Sequence, residues 1–512
     1  MLLKVESYRK GIVLSTFFNI INKVFVFINS LAIAYYFGTQ LKVDLYFYTY
    51  NTVLLIVTFI TTLNSSVLIP ESMRIRKHEH PGNVIHFFNF FIYSYLGITI
   101  LLCLLFFINP VNAFVAISKY NPAVLEKESA ILYMSVPLIL LITLTTMLTD
   151  ILSSYRFFTV PMVAAIINSL FSLLFIILFH KSLNVRSITL GLLISYSVNI
   201  VFLFFLLKKY IHWHFRFKWI NLGKKIRGNI VYAQLGNFVT SLGGYAPLYF
   251  LSGANIGIIA ALNYAQQISV QPTSFLTNQF ANVSRIKMSE LYVAGEFRKV
   301  NDIFQSTIRF LLFILIPISG ILYLYADEIL AVLFKRGSFD ENSVKLSSDF
   351  LRYLGLSLPF TAVISIAGNL YVAAQLIKVS IGYQIMSNLL LIGLVYVFLK
   401  WFGYTGYPIA LFSVNIINVL VVYIFCKLFF PFIRYELILR YLGIILGINL
   451  LLVFSLKVMG VLTAHRSAFM ILATGSFVYA VLLLSINHFF HLNGDFNQFL
   501  NNMRSRITGR KL

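Results

Sequence analysis

The chain contains few of the charged residues that water-soluble proteins place on their surfaces. Only 11% of its 512 residues are Asp, Glu, Lys or Arg, whereas 59% are hydrophobic. A water-soluble domain carries about 25% charged residues, so the sequence lies outside that class. Apolar runs recur along the chain, and each has about the 20 residues that a helix needs to cross a bilayer. This composition predicts an all-α polytopic membrane protein.

Cysteine is nearly absent as well. Cys103 and Cys426 are the two cysteines of the chain, and both fall inside apolar runs. Such a pair predicts no structural disulfide, and no further Cys or His follows at the spacing of a metal site. We therefore expect no metal and no cofactor, although transport could be coupled to a cation of unknown identity.

Acidic residues are scarce, with 17 Asp and Glu against 40 Lys and Arg, which gives a net charge of +23. The acids are dispersed, and no phosphate-binding loop, Walker motif or nucleophile elbow is present. A membrane glycosyltransferase or hydrolase needs paired carboxylates or a positioned His. The sequence therefore predicts a transporter rather than an enzyme, and it excludes a nucleotide-driven pump on this chain alone. No nucleic-acid module accompanies the positive charge, which we assign to cytoplasmic loops.

Fourteen apolar spans follow one another with short connections. Lys and Arg are concentrated in alternate loops, which places both termini on the cytoplasmic side by the positive-inside rule. An even number of spans agrees with this orientation. The predicted spans are 12–37, 43–69, 84–108, 129–153, 159–180, 186–208, 229–251, 255–280, 303–326, 346–371, 377–400, 404–428, 437–460 and 467–490.

The two halves of the chain resemble each other at an offset of about 220 residues. Pro137 in span four matches Pro359 in span ten, and the pair Asn168–Ser169 matches Ser387–Asn388. Repeated lobes are the usual architecture of alternating-access transporters, with the ligand site between the lobes. The predicted parts are six-helix lobes at 1–208 and 229–428, a basic cytoplasmic linker at 209–228, two extra transmembrane helices within 429–490, and a basic cytoplasmic tail at 491–512.

The linker alternates basic and aromatic residues. The stretch KKYIHWHFRFKWINLGKKIR contains seven Lys and Arg, no acid, and Trp213, Phe215, Phe217 and Trp219. This pattern is typical of a segment that lies on the anionic headgroups of a bilayer. It is also a strong topology signal for the cytoplasmic side, and the two interpretations are compatible.

One lysine lies well inside the first span. Lys23 belongs to the apolar stretch 16–44, and Asn19 and Asn22 lie on the same helix face. A charge at that depth costs at least ~2.5 kcal/mol, so it should face protein, water or a ligand rather than lipid. Lys23 is therefore a candidate for binding an anionic group.

Span eight is rich in amides and contains a proline. Asn263, Gln266 and Gln267 recur at helical spacing, and Pro272 should kink the span because it removes a backbone hydrogen bond. Asn237 adds an amide in span seven. Kinked polar helices that face a wet cavity are expected in transporters, and hydrogen bonding between helices is the alternative.

Two carboxylates lie near the ends of spans. Asp44 begins span two, where the N–H groups of its helix would stabilise it, and a direct ligand role is the alternative. Asp150 lies near the inner end of span four. We expect Asp150 to pair with Arg156, with a gating role as the alternative.

Three stretches resemble motifs of the MviN/MurJ family. YFGTQLKVDLYF in the first hairpin resembles FGxxxxxDxFF, NYAQQISVQP from Asn263 resembles YADRxxxxP, and LFKRGSFDENSV at Leu333–Val344 resembles LFxRGxFD. The resemblance covers essentially the whole chain. The family belongs to the multidrug/oligosaccharidyl-lipid/polysaccharide exporter superfamily. The resemblance implies a flippase of the bacterial cytoplasmic (inner) membrane that moves a polyprenyl-diphosphate-linked sugar, lipid II in the type members, to the outer leaflet.

The family's type members line the central cavity with arginines, and this chain departs from that pattern. Lys23 and Asn29 match two such positions in span one, Gln267 matches the arginine of YADR, and Gln266 matches its acid. A lysine holds phosphate as a point charge and cannot grip it bidentately. The resemblance implies that substrate binds at Lys23, Asn22, Asn29, Asn237, Asn263, Gln266 and Gln267, with gating or structural roles for Asp44, Gly38, Pro272 and Arg336, and with a groove for the prenyl tail at spans thirteen and fourteen.

Several other functions stay open at this point. A flippase for an O-antigen or capsule unit, or a drug–cation antiporter, would differ in the polarity of the head group that the cavity accepts. A membrane-embedded glycan-modifying enzyme would need an essential Asp, Glu or His within a span. A non-transporting scaffold for cell-wall synthesis enzymes would need no binding cavity.

Overall fold

The computed structural model describes residues 8–78, 81–220, 222–461 and 467–498, and every regular element within these ranges is a helix. Most of the predicted basic tail at 491–512 lies outside the described residues. The chain forms two compact units, Met1–Ala260 with Arg336–Asp340, and Ala261–Lys335 with Glu341–Leu512. The all-α prediction is confirmed.

In its described residues the first unit contains eleven α-helices, which are apolar spans of bilayer length or the shorter helices between them. They are α1 Tyr8–Phe37, α2 Leu41–Leu63, α3 Ile69–His78, α4 Pro81–Ile108, α5 Pro110–Ala116, α6 Pro122–Lys127, α7 Ser129–Ser135, α8 Pro137–Ser154, α9 Val160–Leu183, α10 Arg186–Ile211 and α11 Lys224–Leu251.

The second unit begins within α12 and includes the two C-terminal helices. Its elements are α12 Ile258–Pro272, α13 Asn278–Val293, α14 Phe297–Leu324, α15 Ala326–Phe334, α16 Glu341–Leu356, α17 Leu358–Ala373, α18 Ile377–Phe402, α19 Gly406–Phe429, α20 Tyr435–Val461 and α21 Ala468–Phe490. The helix α11, which the sequence assigned to the lobe 229–428, packs on α2 and groups with the first unit. The predicted lobe boundaries stay a prediction.

Helices occupy all fourteen predicted spans. Within the described residues, ten stretches are long and apolar enough to cross a membrane, and the pair α16–α17, bent by 43°, makes an eleventh if it is one span. One of the ten, Lys378–Phe429, holds both α18 and α19. Of the fourteen, α11 and α12–α13 fall outside this set because basic residues and amides lower their hydropathy. The count of fourteen is consistent with these observations.

Two spans contain a π-helical turn. Residues Asn64–Leu68 join α2 to α3, and residues Thr273–Thr277 join α12 to α13. Pro272 directly precedes the second turn, where its missing N–H interrupts the regular hydrogen-bond pattern. Turns of this kind are frequent at functional sites.

The two units repeat the same local contacts 219 residues apart. Asn199 Nδ2 donates to Asn168 Oδ1 at 2.7 Å, and Asn418 Nδ2 donates to Ser387 Oγ at 2.8 Å. Residues with a left-handed backbone that follow helices recur at the same interval, namely Arg156 and Gln375, and Asn184 and Gly403. Equivalent contacts at a constant interval indicate an internal repeat, at the offset that the sequence suggested.

The two C-terminal helices pack within the second unit, α20 on α14 and α21 on α15. Gly320 of α14 lies so close to α20 that a Cβ there would be 2.5 Å from Asn449 Oδ1. That oxygen accepts a hydrogen bond from the Tyr479 hydroxyl of α21. Phe454 and Phe477 of the same two helices are exposed, as expected for side chains in contact with lipid.

Candidate functional site

Lys23 is half-buried in the middle of α1. Two amides of the same helix, Asn22 and Asn29, contact α9. Asn29 Nδ2 donates to the Ser169 carbonyl oxygen at 2.7 Å, and Ser169 Oγ donates to Asn22 Oδ1 at 3.1 Å. Asn22 and Asn29 therefore hold α1 against α9, which fixes the helix that carries Lys23.

The amides of α11 have unsatisfied polar atoms. Asn237 Nδ2 and Gln234 Oε1 are buried and have no hydrogen-bond partner among the described residues. A buried polar group in that condition costs about 1–3 kcal/mol. A bound ligand or water would recover that free energy. Asn29 Oδ1 of α1 is in the same condition, so all three residues are amide candidates in the first unit for binding a polar group.

The amides of α12 lie in the second unit. Asn263, Gln266 and Gln267 are half-buried, and their spacing places them on one side of the helix. The carbonyl oxygen of Gln267 accepts from Gln271 Nε2 at 2.8 Å. The side chain of Gln271 thus stabilises the backbone just before Pro272.

A second cluster surrounds the turn between α1 and α2. The segment Arg336–Asp340 docks on this turn within the first unit. Ser338 N donates to the Tyr35 carbonyl oxygen at 2.8 Å, and Ser338 Oγ donates to the Tyr36 carbonyl oxygen at 3.0 Å. Arg336 is exposed, and its carbonyl oxygen accepts from Phe339 N at 3.2 Å. We call this arrangement the hairpin clasp.

Three glycines make the hairpin clasp possible, since each has a positive φ that L side chains rarely adopt. At Gly38 (φ 57°) a Cβ would lie 2.2 Å from the Ser338 carbonyl oxygen, and at Gly337 (φ 59°) it would lie 2.3 Å from that of Tyr35. At Gly257 (φ 88°) it would lie 2.4 Å from the Thr39 carbonyl oxygen. Backbones therefore touch on both sides of the turn.

Asp44 joins the same region to α12. It is 2% exposed, and it lies near the N-terminus of α2, where the sequence placed a stabilising role for that helix. The structure corrects this expectation, because Oδ1 accepts from Ala260 N at 2.8 Å in the first turn of α12. Oδ2 accepts from the Tyr120 hydroxyl at 2.9 Å. Burial and the Asp44 carboxylate raise the pKa of Tyr120, so its hydroxyl stays protonated and donates.

The linker after α10 is pinned along the first turns of α4. Asn89, fully buried, accepts from Trp213 Nε1 at 2.9 Å and donates to the carbonyl oxygens of His214 and Arg216 at 2.7 and 3.1 Å. The Tyr93 hydroxyl donates to the Phe215 carbonyl oxygen at 3.0 Å. The linker is therefore a fixed part of the first unit.

A polar cleft of about 420 Å³ lies between the linker, α3 and the start of α4. Lys218 of the linker lines it together with Arg74, whose Nε donates to Glu71 at 2.8 Å. At the cleft's edge Trp219 is 76% exposed and stands edge-on to Phe90. Cationic and aromatic side chains therefore lie together in this cleft. The lining comprises Glu71, Arg74, Ile75, Asn83, His86, Phe87, Lys218, Trp219, Ile220, Leu222, Gly223 and Ile226.

Asp150 has a different partner from the one that the sequence suggested. Asn64 Nδ2 donates to Asp150 Oδ2 at 2.7 Å. Arg156 lies just beyond the end of α8 with φ 67°, a backbone conformation that turns the chain away, and the expected ion pair between the two residues is wrong. Among the described residues, no group of three or more His, Cys, Asp or Glu is placed to hold a metal ion.

A family comparison accounts for these motifs. The sequence model described as Lipid II flippase MurJ matches residues 33–483. The chain belongs to the MurJ family. The resemblance drawn from the three motifs is therefore confirmed, and the family is one of transporters.

Curated members of the MurJ family align over much of the chain. A protein of Borreliella burgdorferi, named probable lipid II flippase MurJ, is 22% identical over 414 residues, which are 78% of this chain and 79% of that protein. One of the same name from Buchnera aphidicola subsp. Acyrthosiphon pisum is 24% identical and covers 74% of this chain and 76% of its own length. A shorter match in Rhizobium tropici reaches 32% identity over 103 residues, 20% of this chain and 19% of that protein.

Solved structures share the fold. A lipid II flippase MurJ in an inward closed conformation superposes with a TM-score of 0.76 at 20% identity, covering 93% of this chain and 98% of that one. An inward-facing multidrug resistance transporter of the MATE family, in the MOP superfamily, gives 0.62 at 13% identity and covers 84% and 99%. At these identities the likeness establishes the fold alone.

The hairpin clasp contains residues of two MurJ motifs, and the neighbouring Asp44 belongs to one of them. Gly38 and Asp44 come from the first-hairpin motif, and Arg336 and Gly337 come from the outer-loop motif. Sequence reasoning quoted both motifs but did not place them together, and it missed Gly257, Ser338 and Tyr120 as partners. A signal was available in the GSF tripeptide and in the SGANIG turn, since glycine in a short connection often marks a positive φ.

Proposed function

We propose that this MurJ family member moves a polyprenyl-diphosphate-linked glycan precursor of the lipid II type across the bacterial cytoplasmic membrane by alternating access, with both termini on the cytoplasmic side. The observation that carries the proposal is Lys23, a cation at mid-depth of α1 in a chain of this family. An ammonium group at that depth suits a diphosphate, which carries the opposite charge.

The side chains divide into binding and positioning roles under this proposal. Lys23 attracts the diphosphate, while Asn237 and Gln234, with their unsatisfied atoms, bond sugar or phosphate oxygens. Asn263, Gln266 and Gln267 of α12 supply further amide groups. Asn22 and Asn29 position Lys23 through Ser169. Membrane potential assists the movement, because one charge crossing ~100 mV is worth ~2.3 kcal/mol.

Lys23→Ala is expected to weaken binding of the lipid-linked diphosphate by about 10- to 100-fold, because a hydrogen bond to a charged group contributes ~1.5–3 kcal/mol. Mass spectrometry of lipid that co-purifies with the protein measures this loss. Complementation of a strain depleted of its lipid II flippase measures transport, and we expect it to fail with Lys23→Ala and to persist with Lys23→Arg.

Lys181→Ala is the matched control, because Lys181 is an exposed lysine at the end of α9. It should retain both the lipid and complementation. Equal amounts of polyprenyl diphosphate on the wild type and on Lys23→Ala would contradict the proposed site. A different glycan on the co-purified lipid would favour an O-antigen or capsule unit, a candidate that the amides Gln266 and Gln267 in place of the family's acid and arginine also support.

We assign the linker to anionic lipid headgroups on the cytoplasmic surface. Lys218 and Arg216 supply positive charge, and the exposed Trp219 supplies an interfacial aromatic ring. The double variant Arg216→Gln, Lys218→Gln should bind phosphatidylglycerol about 30-fold more weakly, since each basic residue near the surface contributes ~1 kcal/mol. Native mass spectrometry with mixed lipid vesicles reports this ratio.

The matched control for the linker also removes two exposed lysines, Lys181→Gln with Lys400→Gln. In the predicted orientation, both lysines lie at the ends of their spans that face away from the cytoplasm. If this control loses phosphatidylglycerol as strongly as the linker variant, the headgroup assignment is wrong, because net charge alone would then explain binding.

A further inference from the structure

Asp150 is an acid inside a span of the first unit that the proposed binding site does not use. It lies in α8, one turn before Ser154 ends that helix, and it is half-buried. Its Oδ2 accepts from Asn64 Nδ2 at 2.7 Å, and Asn64 Oδ1 accepts from the Tyr95 hydroxyl at 2.9 Å. Asn64 is the first residue of the π-helical turn that follows α2.

The internal repeat places a neutral residue at the equivalent position. Asn369 lies 219 residues after Asp150 and, like it, six residues before a left-handed residue that follows its helix. Its Nδ2 donates to the Ala281 carbonyl oxygen at 2.9 Å and to Ser284 Oγ at 3.3 Å. In both units this position therefore bonds to the span that contains the π-helical turn.

The difference between Asn369 and Asp150 lies in their ability to ionise. The second unit shows that an amide fills the position and links the two spans. A protonated carboxyl group has nearly the same shape as that amide and, like it, both donates and accepts hydrogen bonds, with one donor where the amide has two. An ionised carboxylate only accepts, and a charge within a span is costly. Asp150 can therefore be protonated or ionised, whereas the second unit shows that a neutral side chain is enough for the fold at this position.

No neighbouring cation holds Asp150 in its ionised state in the described structure. Tyr95 faces it from α4 through Asn64, and Arg76 of α3 is engaged one turn away, where it donates to Ser154 at 2.8 Å and stacks on Tyr155. Glu71 of α3 pairs with Arg74. At this end of the unit, Lys208 and Lys209 lie in the last turn of α10 and are exposed, with Lys209 over the rings of Phe205 and Tyr210. Arg156 lies beyond the end of α8. Helix α9 has no ionisable residue before His180, and α2 has none after Tyr50.

We propose that Asp150 is a proton-binding site, at which one proton binds and leaves during each transport cycle. The protonated carboxyl group can donate, as Asn369 does, and it needs no compensating charge. The ionised carboxylate depends on Asn64 and water at the inner end of α8. Proton binding stands independently of the transported lipid, whereas its coupling to the cycle rests on the proposed function.

Infrared difference spectroscopy of the full-length protein in lipid nanodiscs tests proton binding directly. Titration from alkaline to acidic pH should produce the stretching band of a protonated carboxyl group. Because other acids titrate too, the signal of Asp150 is the component of the band that the wild type has and Asp150→Asn lacks. Asp150→Glu should retain this component with a shift. Asp302→Asn removes an exposed acid of α14 and should leave the component unchanged. Asp150→Asn should fold, because Asn369 occupies the equivalent position, and size-exclusion chromatography checks this.

Flipping of lipid II in proteoliposomes, measured at acidic and alkaline pH, tests the coupling. The wild type and Asp150→Glu should change rate with pH, and Asp150→Asn should lose that dependence. If Asp150→Asn has the same difference spectrum as the wild type, or keeps the pH dependence of flipping, the proposal is overturned. If the wild type flips no lipid II at any pH, but its spectrum contains the component that Asp150→Asn lacks, proton binding stands and the proposed function fails.

Discussion

Gly337→Ala is expected to destabilise the protein by about 2–5 kcal/mol. Two effects add at this position. An alanine at φ 59° must adopt a left-handed backbone, which destabilises the folded state by ~1–2 kcal/mol. Its Cβ would also lie 2.3 Å from the Tyr35 carbonyl oxygen, and relieving such an overlap costs ~1–3 kcal/mol. The thermal unfolding midpoint of the purified protein in detergent measures the sum.

The clash should act on the hairpin clasp in particular. The overlap is with the carbonyl oxygen that accepts from Ser338 N, so the segment Arg336–Asp340 must move away and give up that bond. Gly38→Ala should behave alike, because its Cβ would lie 2.2 Å from the Ser338 carbonyl oxygen on the opposite side of the same contact. Hydrogen exchange of residues 35–40 should increase in both variants.

Gly403→Ala separates backbone strain from the clash. Gly403 has the same φ of 59°, but nothing lies within 4 Å of a Cβ built there. The control should therefore lose only the ~1–3 kcal/mol that its positive-φ backbone (φ 59°, ψ −144°) costs an alanine. Equal unfolding midpoints for Gly337→Ala and Gly403→Ala would show that the close approach in the hairpin clasp contributes nothing to stability.

Sequence patterns predicted the helices and the repeat well, and they did so for a physical reason. Bilayer thickness fixes the length of an apolar span, so apolar spans can be predicted without any knowledge of tertiary contacts. The repeat offset was legible because Asn168 and Ser387 occupy equivalent places, and the structure gives each an equivalent partner.

The partners of individual polar residues were much harder to predict. Helical spacing shows which residues share a face, but it does not show which neighbouring helix that face meets. The sequence assigned Asn29 to the substrate, which stays a prediction, and gave no sign that its Nδ2 bonds to Ser169 of α9. Asp150 was assigned to Arg156, a sequence neighbour, and instead meets Asn64, 86 residues away. Long-range partners of this kind depend on packing, which no local pattern encodes.

Asp44→Ala should also be strongly destabilising, by about 3–6 kcal/mol. The carboxylate is buried and accepts two hydrogen bonds, from Ala260 N and the Tyr120 hydroxyl. Each bond to a charged group contributes ~1.5–3 kcal/mol, and alanine leaves both donors without an acceptor. Since Ala260 N belongs to the first turn of α12, whose N–H groups have no partner within the helix, the start of α12 should fray first.

Tyr120→Phe and Asp44→Asn divide this effect into its two parts. Tyr120→Phe removes one donor and leaves the bond to Ala260 N, so it should cost about half as much as Asp44→Ala. Asp44→Asn keeps one acceptor oxygen for Ala260 N and should fall between the two. In a double-mutant cycle of Asp44→Ala with Tyr120→Phe, the second change should add little, because the two residues share one bond. Strictly additive losses in the unfolding midpoint would mean that Asp44 and Tyr120 stabilise the protein independently. The close contact of 2.9 Å would then not be the reason for the loss.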